Sequence, residues 1–175
     1  MQLLVVRHAI AEDREEFARG GRDDSLRPLT REGRRKMRRA ARGLRRVVPS
    51  IDVLATSPYA RAEQTAWIVA DAYGGRPEPL RVGELVPDAK PAAFVRWLRS
   101  LGPSVRAGDR TVAVVGHEPH LGELVTWLLA ARGPSLIELK KGGACLLRLD
   151  DAAPGAGSAT LRWALAPSHL RRLGA

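Results

Sequence analysis

The hydrophobic pattern of the chain begins with a short, unbroken apolar run near the amino terminus. Residues 3–6 are Leu-Leu-Val-Val, and Arg7 and His8 follow without a polar spacer. A continuous apolar run of this kind is typical of a parallel strand covered on both faces. Because α/β sheets bind ligands at the carboxyl ends of such strands, the pattern predicts a cation and an imidazole where a functional site is expected.

A second buried strand is predicted at residues 111–116, Thr-Val-Ala-Val-Val-Gly, and it leads into His117-Glu118-Pro119-His120. Weaker apolar runs predict further strands at residues 52–57, 80–82, 144–149 and 159–165. The last two are expected to form a hairpin around the loop 152–158, which is rich in proline, glycine and alanine.

Helical patterns separate these strands. The most amphipathic segment covers about residues 31–47, with Thr30 as its predicted N-cap. Its predicted buried face consists of Met37, Ala40, Ala41, Leu44 and Val48. Further helices are predicted from residue 59 to the glycines at 74 and 75, over 91–101, and from Pro119 to about 131, whereas 11–30 is predicted to be a loop. The pattern predicts an α/β fold, a single domain over residues 1–175 with a mostly parallel central sheet between two helical layers.

Composition narrows the class of protein. No apolar run approaches the length of a membrane span, and the amino terminus has no basic region ahead of an apolar core, so a cytoplasmic protein is expected. Cys145 is the single cysteine, which excludes an internal disulfide and a multi-cysteine metal site. It lies in an apolar run and is expected to be a small core residue.

The net charge of +10 is compatible with nucleic acid, an anionic membrane or a phosphorylated substrate as a partner. Nucleic-acid grooves usually interleave aromatic residues with the charge. Here the four tryptophans stand singly inside apolar segments, where core packing is expected. The arginines of helix 31–47 are interpreted as a solvated face, so nucleic acid is disfavoured and no membrane partner is expected.

Four residues at three predicted strand ends suggest phosphoryl-transfer chemistry. Arg7 and His8 follow one strand, Arg61 opens the helix after another, and His117 ends a third. One imidazole can attack phosphorus and form a phosphohistidine, while two arginines hold the phosphoryl oxygens. The second imidazole, if protonated, adds a donor. No metal or other cofactor is required, and a zinc site is disfavoured because the arginines would repel the cation.

With these motifs in order, the chain resembles the histidine phosphatase superfamily, also called phosphoglycerate mutase-like, and within it the small bacterial phosphohistidine phosphatases of the SixA type. The resemblance covers about residues 1–130 and implies the phosphoglycerate mutase-like fold. The matching stretches are Val6-Arg7-His8-Ala9, Arg27-Pro28-Leu29-Thr30 with Gly33, Ser57-Pro58-Tyr59-Ala60-Arg61-Ala62-Glu63-Gln64-Thr65, Glu84-Leu85 and Val114-Val115-Gly116-His117-Glu118-Pro119. Ala9 stands where the family usually has glycine.

Carried over by position, the resemblance implies that His8 is the phosphorylated nucleophile and that Arg7, Arg61 and His117 form the phosphate pocket. Two carboxylates compete as proton donor, Glu84 and Glu118, and Glu84 is preferred. A phosphoramidate needs less help from an acid than an ester does, because its nitrogen can be protonated before cleavage, so either carboxylate could be dispensable.

The substrate stays open between three hypotheses. Only 22 residues separate Arg61 from Glu84, which leaves little chain for a cap and favours phosphohistidine on a protein as substrate. The alternatives are a small phosphorylated metabolite, selected by the basic loop 14–31, and a basic nucleic-acid-binding or scaffold protein with a vestigial pocket. A monomer is weakly favoured.

Overall fold

The computed structural model describes residues 1–106, 108–132, 135–149 and 154–175. They form a six-stranded sheet in the order β3-β2-β4-β1-β5-β6. The strands are β1 (Gln2–Arg7), β2 (Val53–Thr56), β3 (Leu80–Arg81), β4 (Thr111–Gly116), β5 (Ala144–Leu149) and β6 (Ala159–Leu165). The first four strands of that order run parallel, and β5 and β6 are antiparallel to their neighbours. The mostly parallel sheet predicted from the sequence is therefore confirmed.

Helices cover both faces of this sheet. They are α1 (Arg14–Arg19), α2 (Arg31–Val47), α3 (Ala60–Ala72), α4 (Pro91–Ser100), α5 (Pro103–Arg106), α6 (His120–Ala130) and α7 (Pro167–Leu173). Helices α2, α3 and α7 pack on one face, and α4 and α6 on the other. The result is the predicted three-layer α/β/α arrangement. No helix in the described part of the chain is long and apolar enough to cross a membrane.

The β1 strand is central because its side chains are apolar on both faces. Leu4 and Val6 enter the core beneath α2 and α3, whereas Leu3 and Val5 enter the core beneath α4 and α6. All four are fully buried. This double burial is what the continuous apolar run predicted, and it fixes the carboxyl end of β1 in the middle of the sheet edge.

The predicted amphipathic helix is confirmed as α2. Thr30 is its N-cap, and the Gly33 amide donates to Thr30 Oγ1 over 2.9 Å. The five residues of the predicted apolar face are all buried. The arginines of α2 occupy exposed and half-buried positions, as predicted. Two of them also donate hydrogen bonds to backbone carbonyl oxygens, Arg45 to Ala72 and Arg42 to Gly174.

Some short elements differ from the prediction. The predicted loop 11–30 contains α1 and a short 3₁₀ helix at Asp24–Leu26, because Asp13 and Asp23 cap backbone amides locally. Helices α5 and α7 have no counterpart in the sequence prediction. Trp67 was expected in the core and is 43% exposed. Residues 152 and 153 of the predicted hairpin loop lie outside the described residues.

Candidate active site

His8 directly follows β1, and its imidazole is buried with a defined tautomer. Its Nδ1 lies 2.7 Å from the carbonyl oxygen of Ala9. A carbonyl oxygen can only accept, so Nδ1 carries the ring proton and Nε2 keeps a free lone pair. Burial, with the charges of Arg61 and Arg7, lowers the pKa of His8 to about 3. The ring is therefore neutral at pH 7, as a nucleophile must be.

His117 follows β4, which pairs with β1, and it stands beside His8. The centroids of the two rings are 5.1 Å apart. His117 Nε2 lies 2.9 Å from Ser57 Oγ, which accepts the Tyr59 amide over 3.3 Å. When the Ser57 hydroxyl donates to Nε2, the proton of the neutral ring lies on Nδ1. Burial, and next the neighbouring His8, lower the pKa of His117 to about 2.

Arg61 is the second residue of α3, and its guanidinium is held by the loop before α2. Nη1 donates to the carbonyl oxygen of Asp24 over 2.8 Å, and Nη2 lies 3.0 Å from Asp24 Oδ2. The other oxygen of the same carboxylate accepts from Arg27 Nε over 2.8 Å. Arg61 is only 4% exposed. Burial lowers the pKa of Arg61 below its ordinary value, and the Asp24 carboxylate offsets only part of this shift.

Arg7 closes the other side of the site. Its Nη1 donates to the carbonyl oxygen of Leu139 over 2.6 Å and lies 3.7 Å from Glu138 Oε1. The Nε atoms of Arg7 and Arg61 are buried and have no hydrogen-bond partner among the described residues, and the same holds for Nδ1 of His117.

These three unpartnered nitrogens are a specific structural signal. A buried polar nitrogen without a partner costs about 1–3 kcal/mol, so two arginine Nε donors and His117 Nδ1 near His8 favour a ligand with several acceptor oxygens. A phosphoryl group supplies such oxygens, and its negative charge complements the two guanidiniums. The structure thus brings together Arg7, His8, Arg61 and His117, the four residues that the sequence placed at strand ends.

The two carboxylates considered as proton donors are held very differently. Both oxygens of Glu118 accept backbone amides, from Gly122 over 3.0 Å and from Leu139 over 2.8 Å. Burial raises the pKa of Glu118 above its ordinary value, and these two hydrogen bonds offset only part of the rise. Glu84 lies in a 3₁₀ turn, Gly83–Leu85, after β3; its side chain is half-buried and accepts no hydrogen bond from the described residues.

Sequence reasoning did not assign roles to Ser57, Asp24 or Thr65. The Thr65 hydroxyl is fully buried; it accepts the Ala9 amide over 3.0 Å and donates to the Arg61 carbonyl over 2.7 Å. The spacing of Thr65, four residues after Arg61 on the same helix face, was an available signal. Asp24 gave none, because its contact with Arg61 spans 37 residues of sequence.

Comparison with known proteins agrees with this geometry. The family model of the histidine phosphatase superfamily (branch 1) matches residues 3–84, which include the first three of the four site residues. An uncharacterised protein of Picosynechococcus is 35% identical over 148 residues, 85% of each chain. The chain therefore belongs to the histidine phosphatase superfamily.

Its relatives within that family point to one subgroup. Phosphohistidine phosphatase SixA of Escherichia coli is 28% identical over 171 residues, 98% of this chain and 97% of the relative. A solved structure of the protein histidine phosphatase SixA with tungstate superposes with a TM-score of 0.79 at 27% identity, covering 97% of this chain and 99% of that one. A phosphoglycerate mutase of Bacillus anthracis shares the fold, with a TM-score of 0.73 at 12% identity, over 100% of this chain and 97% of that one. Together these similarities support phosphatase activity.

Proposed function

We propose that this protein is a phosphohistidine phosphatase that works through a covalent phosphoryl group on His8. The observation that carries the proposal is the hydrogen bond from His8 Nδ1 to the Ala9 carbonyl oxygen. It leaves Nε2 unprotonated beside the buried, unpartnered nitrogens of Arg7, Arg61 and His117. This arrangement supports a nucleophile and a set of oxyanion donors held side by side.

In the first step, the lone pair of His8 Nε2 attacks phosphorus and the bond from phosphorus to the leaving group breaks. For a phosphohistidine substrate, the leaving group is the substrate's imidazole, which takes the electron pair of the broken bond and departs neutral because its other ring nitrogen already carries a proton. The Arg7 and Arg61 guanidiniums hold the equatorial oxygens of the transferred group. His117 adds a further donor, because the incoming anion supplies the counter-charge that its buried ring lacks.

In the second step, water attacks phosphorus and the bond to His8 Nε2 breaks. Inorganic phosphate leaves, the proton lost by the water remains with the products, and His8 returns to its neutral form. The charge on the phosphoryl oxygens is met throughout by Arg7, Arg61 and His117. We therefore propose a metal-independent reaction, with the expectation that EDTA leaves turnover unchanged.

We assign Glu84 as the proton donor when a leaving group needs one. Glu118 is the weaker candidate because backbone amides occupy both of its oxygens. Glu84→Gln is expected to slow hydrolysis of a phosphate ester much more than that of phosphoramidate, whose nitrogen is protonated before cleavage. Glu118→Gln is expected to lower the free energy of unfolding more than it lowers turnover, because it disturbs the two hydrogen bonds to backbone amides. Equal effects of Glu84→Gln on both substrates would contradict this assignment.

The proposed substrate is phosphohistidine on a protein. The segment between Arg61 and Glu84 holds only the rest of α3, a turn and the two-residue strand β3, so it offers no inserted cap. An uncapped site admits a phosphorylated side chain on a second protein. The similarity to SixA over nearly the whole chain supports the same substrate class, and it supports a single histidine phosphatase domain over residues 1–175.

Two measurements test this function. His8→Ala should abolish turnover and the acid-labile phosphate label on the protein, whereas the exposed His169→Ala should preserve both; turnover by His8→Ala would refute the nucleophile assignment. A phosphohistidine-bearing protein should be hydrolysed with a higher kcat/KM than any member of a panel of small phosphate esters. A clear preference for one ester would replace the proposed substrate with a metabolite.

A further inference from the structure

A basic crevice lies beside the segment that carries the proposed nucleophile. Its enclosed volume is only about 20 Å³, room for about one water molecule, so a larger charged group meets its cationic side chains at the open mouth. Its lining contains three cationic side chains, those of Lys36, Lys141 and Arg171, and, among the described residues, no acidic one. The remaining lining is formed by small and apolar residues: Ala9, Ile10, Gly33, Met37, Ala40, Gly142 and Pro167.

Backbone contacts fix this crevice next to His8. The Gly142 amide donates to the carbonyl oxygens of both Arg7 and His8, over 3.1 Å in each case. On the opposite wall, α2 packs so closely that a Cβ at Gly33 would lie 2.0 Å from the carbonyl oxygen of Ile10. The crevice is therefore built on the two residues that directly follow His8.

The topology places all three cations at the same edge of the sheet as the active site. Helix α2 begins at the carboxyl edge of β1, and Lys36 is in its second turn. Lys141 precedes β5, which starts opposite the end of β1, and Arg171 is on α7, which follows the end of β6 at that edge. Lys141 is close enough to His8 for its charge to lower the pKa of the imidazole.

The crevice lacks the negative charge that would balance it. Lys36 is paired on its own helix with Glu32 at 2.7 Å. In the described part of the chain, neither Lys141 nor Arg171 lies within ion-pair distance of a carboxylate. Cations gathered in a concave, partly apolar crevice raise the local concentration of anions and favour their binding.

We propose that this crevice is a subsite for a second anionic group of the substrate, bound while the phosphoryl group faces His8. The inference rests on the proposed phosphatase function and adds a specificity element to it. The ligand is a carboxylate or a phosphate on the same molecule: an acidic side chain near the phosphohistidine of a protein, or a second phosphate on a small substrate. The subsite discriminates through KM, because its ligand does not change in the reaction.

The test compares matched substrates on the full chain. One pair consists of phosphohistidine peptides that differ only in glutamate or glutamine within two residues on either side of the phosphohistidine. The other pair consists of a sugar monophosphate and the matching bisphosphate, used as competitive inhibitors of phosphoramidate hydrolysis. We expect the more anionic member of at least one pair to be favoured about 10-fold, mainly through KM or Ki, with less preference at high salt.

Charge-matched variants locate the effect. Lys141→Met and Arg171→Met should each reduce the preference about 3-fold, the size expected for a partly exposed ion pair, and the double variant should remove it. The controls are Lys140→Met and Arg172→Met, adjacent exposed cations that do not line the crevice. They should retain the preference.

The possible results distinguish a carboxylate ligand from a phosphate ligand, and they distinguish failure of the subsite from failure of the proposed phosphatase function. Preference within the peptide pair alone identifies a carboxylate, preference within the sugar pair alone identifies a phosphate, and both support the subsite. Hydrolysis of phosphohistidine or phosphoramidate without preference in either pair overturns the subsite and leaves the proposed function standing. An equal loss of preference in the control variants also overturns it, because the general field of the protein would then suffice. Failure to hydrolyse phosphohistidine peptides and phosphoramidate alike overturns the proposed function itself.

Discussion

The acid stability of this fold is expected to depend on three buried histidines, His8, His117 and His120. Burial lowers their pKa values to about 3, about 2 and about 4, respectively. His120 is the first residue of α6, it is 0% exposed, and neither of its ring nitrogens has a hydrogen-bond partner in the described part of the chain. In the unfolded chain, each of these rings titrates near pH 6.5.

The sign follows from which state binds more protons. Below about pH 6.5 these histidines bind protons in the unfolded chain but stay neutral in the folded protein, so the free energy of unfolding falls as pH falls. Each histidine contributes about 1.4 kcal/mol per pH unit, and the three together contribute about 4 kcal/mol per pH unit between about pH 6 and pH 5. Such a slope is large against a total stability of about 5–15 kcal/mol. The half-buried Glu118 opposes this loss, because its pKa is raised above the ordinary 4.5 and the folded protein takes up a proton there as pH falls through that raised pKa.

Urea unfolding, followed by tryptophan fluorescence from pH 7.5 to pH 5 in phosphate-free buffer, measures this slope. His120→Leu is the diagnostic variant. It should reduce the slope by about a third and, because it removes two buried nitrogens without partners, it should not lower stability at pH 7. His169→Leu, an exposed position on α7, is the control and should keep the full slope. A free energy of unfolding that is constant from pH 7 to pH 5 would refute the reasoning.

Three further predictions concern packing and hydrogen bonds. Gly43→Ala should destabilise the protein by about 1–3 kcal/mol in urea unfolding, because its Cβ would lie 1.9 Å from the carbonyl oxygen of Leu170 and force α2 away from α7. Thr65→Val should lower the free energy of unfolding by about 1–3 kcal/mol and also reduce kcat, because it leaves the buried Ala9 amide without an acceptor beside the site. Ser57→Ala should lower kcat about 10-fold with little change in KM, because the imidazole of His117 loses the 2.9 Å hydrogen bond that orients it.

Each of these has a matched control. Gly102→Ala introduces the same methyl group where the nearest side-chain atom is 3.9 Å away, so stability should hold. Thr160→Val makes the same change at an exposed position of β6 and should leave kcat and stability unaltered. Ser168→Ala, exposed on α7, serves the same purpose for kcat. If a control changed stability or kcat as much as its test variant does, the contact proposed to explain the test variant would not be the cause.

The sequence predicted the long elements because their hydrophobic patterns are long. The run at residues 3–6 and the face of α2 each repeat one signal often enough to be recognised. Helix α7 could not be recognised in this way, because it is short and its place is set by close backbone contact with α2. A Cβ at Gly174 would lie 1.9 Å from the Arg39 carbonyl oxygen, and one at Gly43 would lie equally close to that of Leu170.

The residues of the candidate site likewise fall into those that a local sequence pattern predicted and those that it did not. The strand ends predicted that Arg7, His8, Arg61 and His117 would lie together, because parallel strands deliver their carboxyl ends to one edge. Asp24 and Ser57, which hold Arg61 and His117, could not be predicted, because these contacts span 37 and 60 residues of sequence. The spacing of Thr65, four residues after Arg61, was the one available signal among these three groups. The exposure of Trp67 was missed for another reason: α3 carries apolar residues around most of its surface, so its pattern does not distinguish an inside from an outside.

The central position of β1 has a consequence for how the protein is made. Residues 2–7 are synthesised before the rest of the sheet, yet their neighbours in the sheet are residues 111–116 on one side and 144–148 on the other. More than a hundred later residues must therefore be synthesised before the strand that precedes His8 is enclosed, and such non-local pairing slows folding. A nascent chain therefore carries His8 long before β4 and β5 have been made and can enclose β1. Premature chains are consequently expected to be inactive and to expose an apolar strand that chaperones can bind.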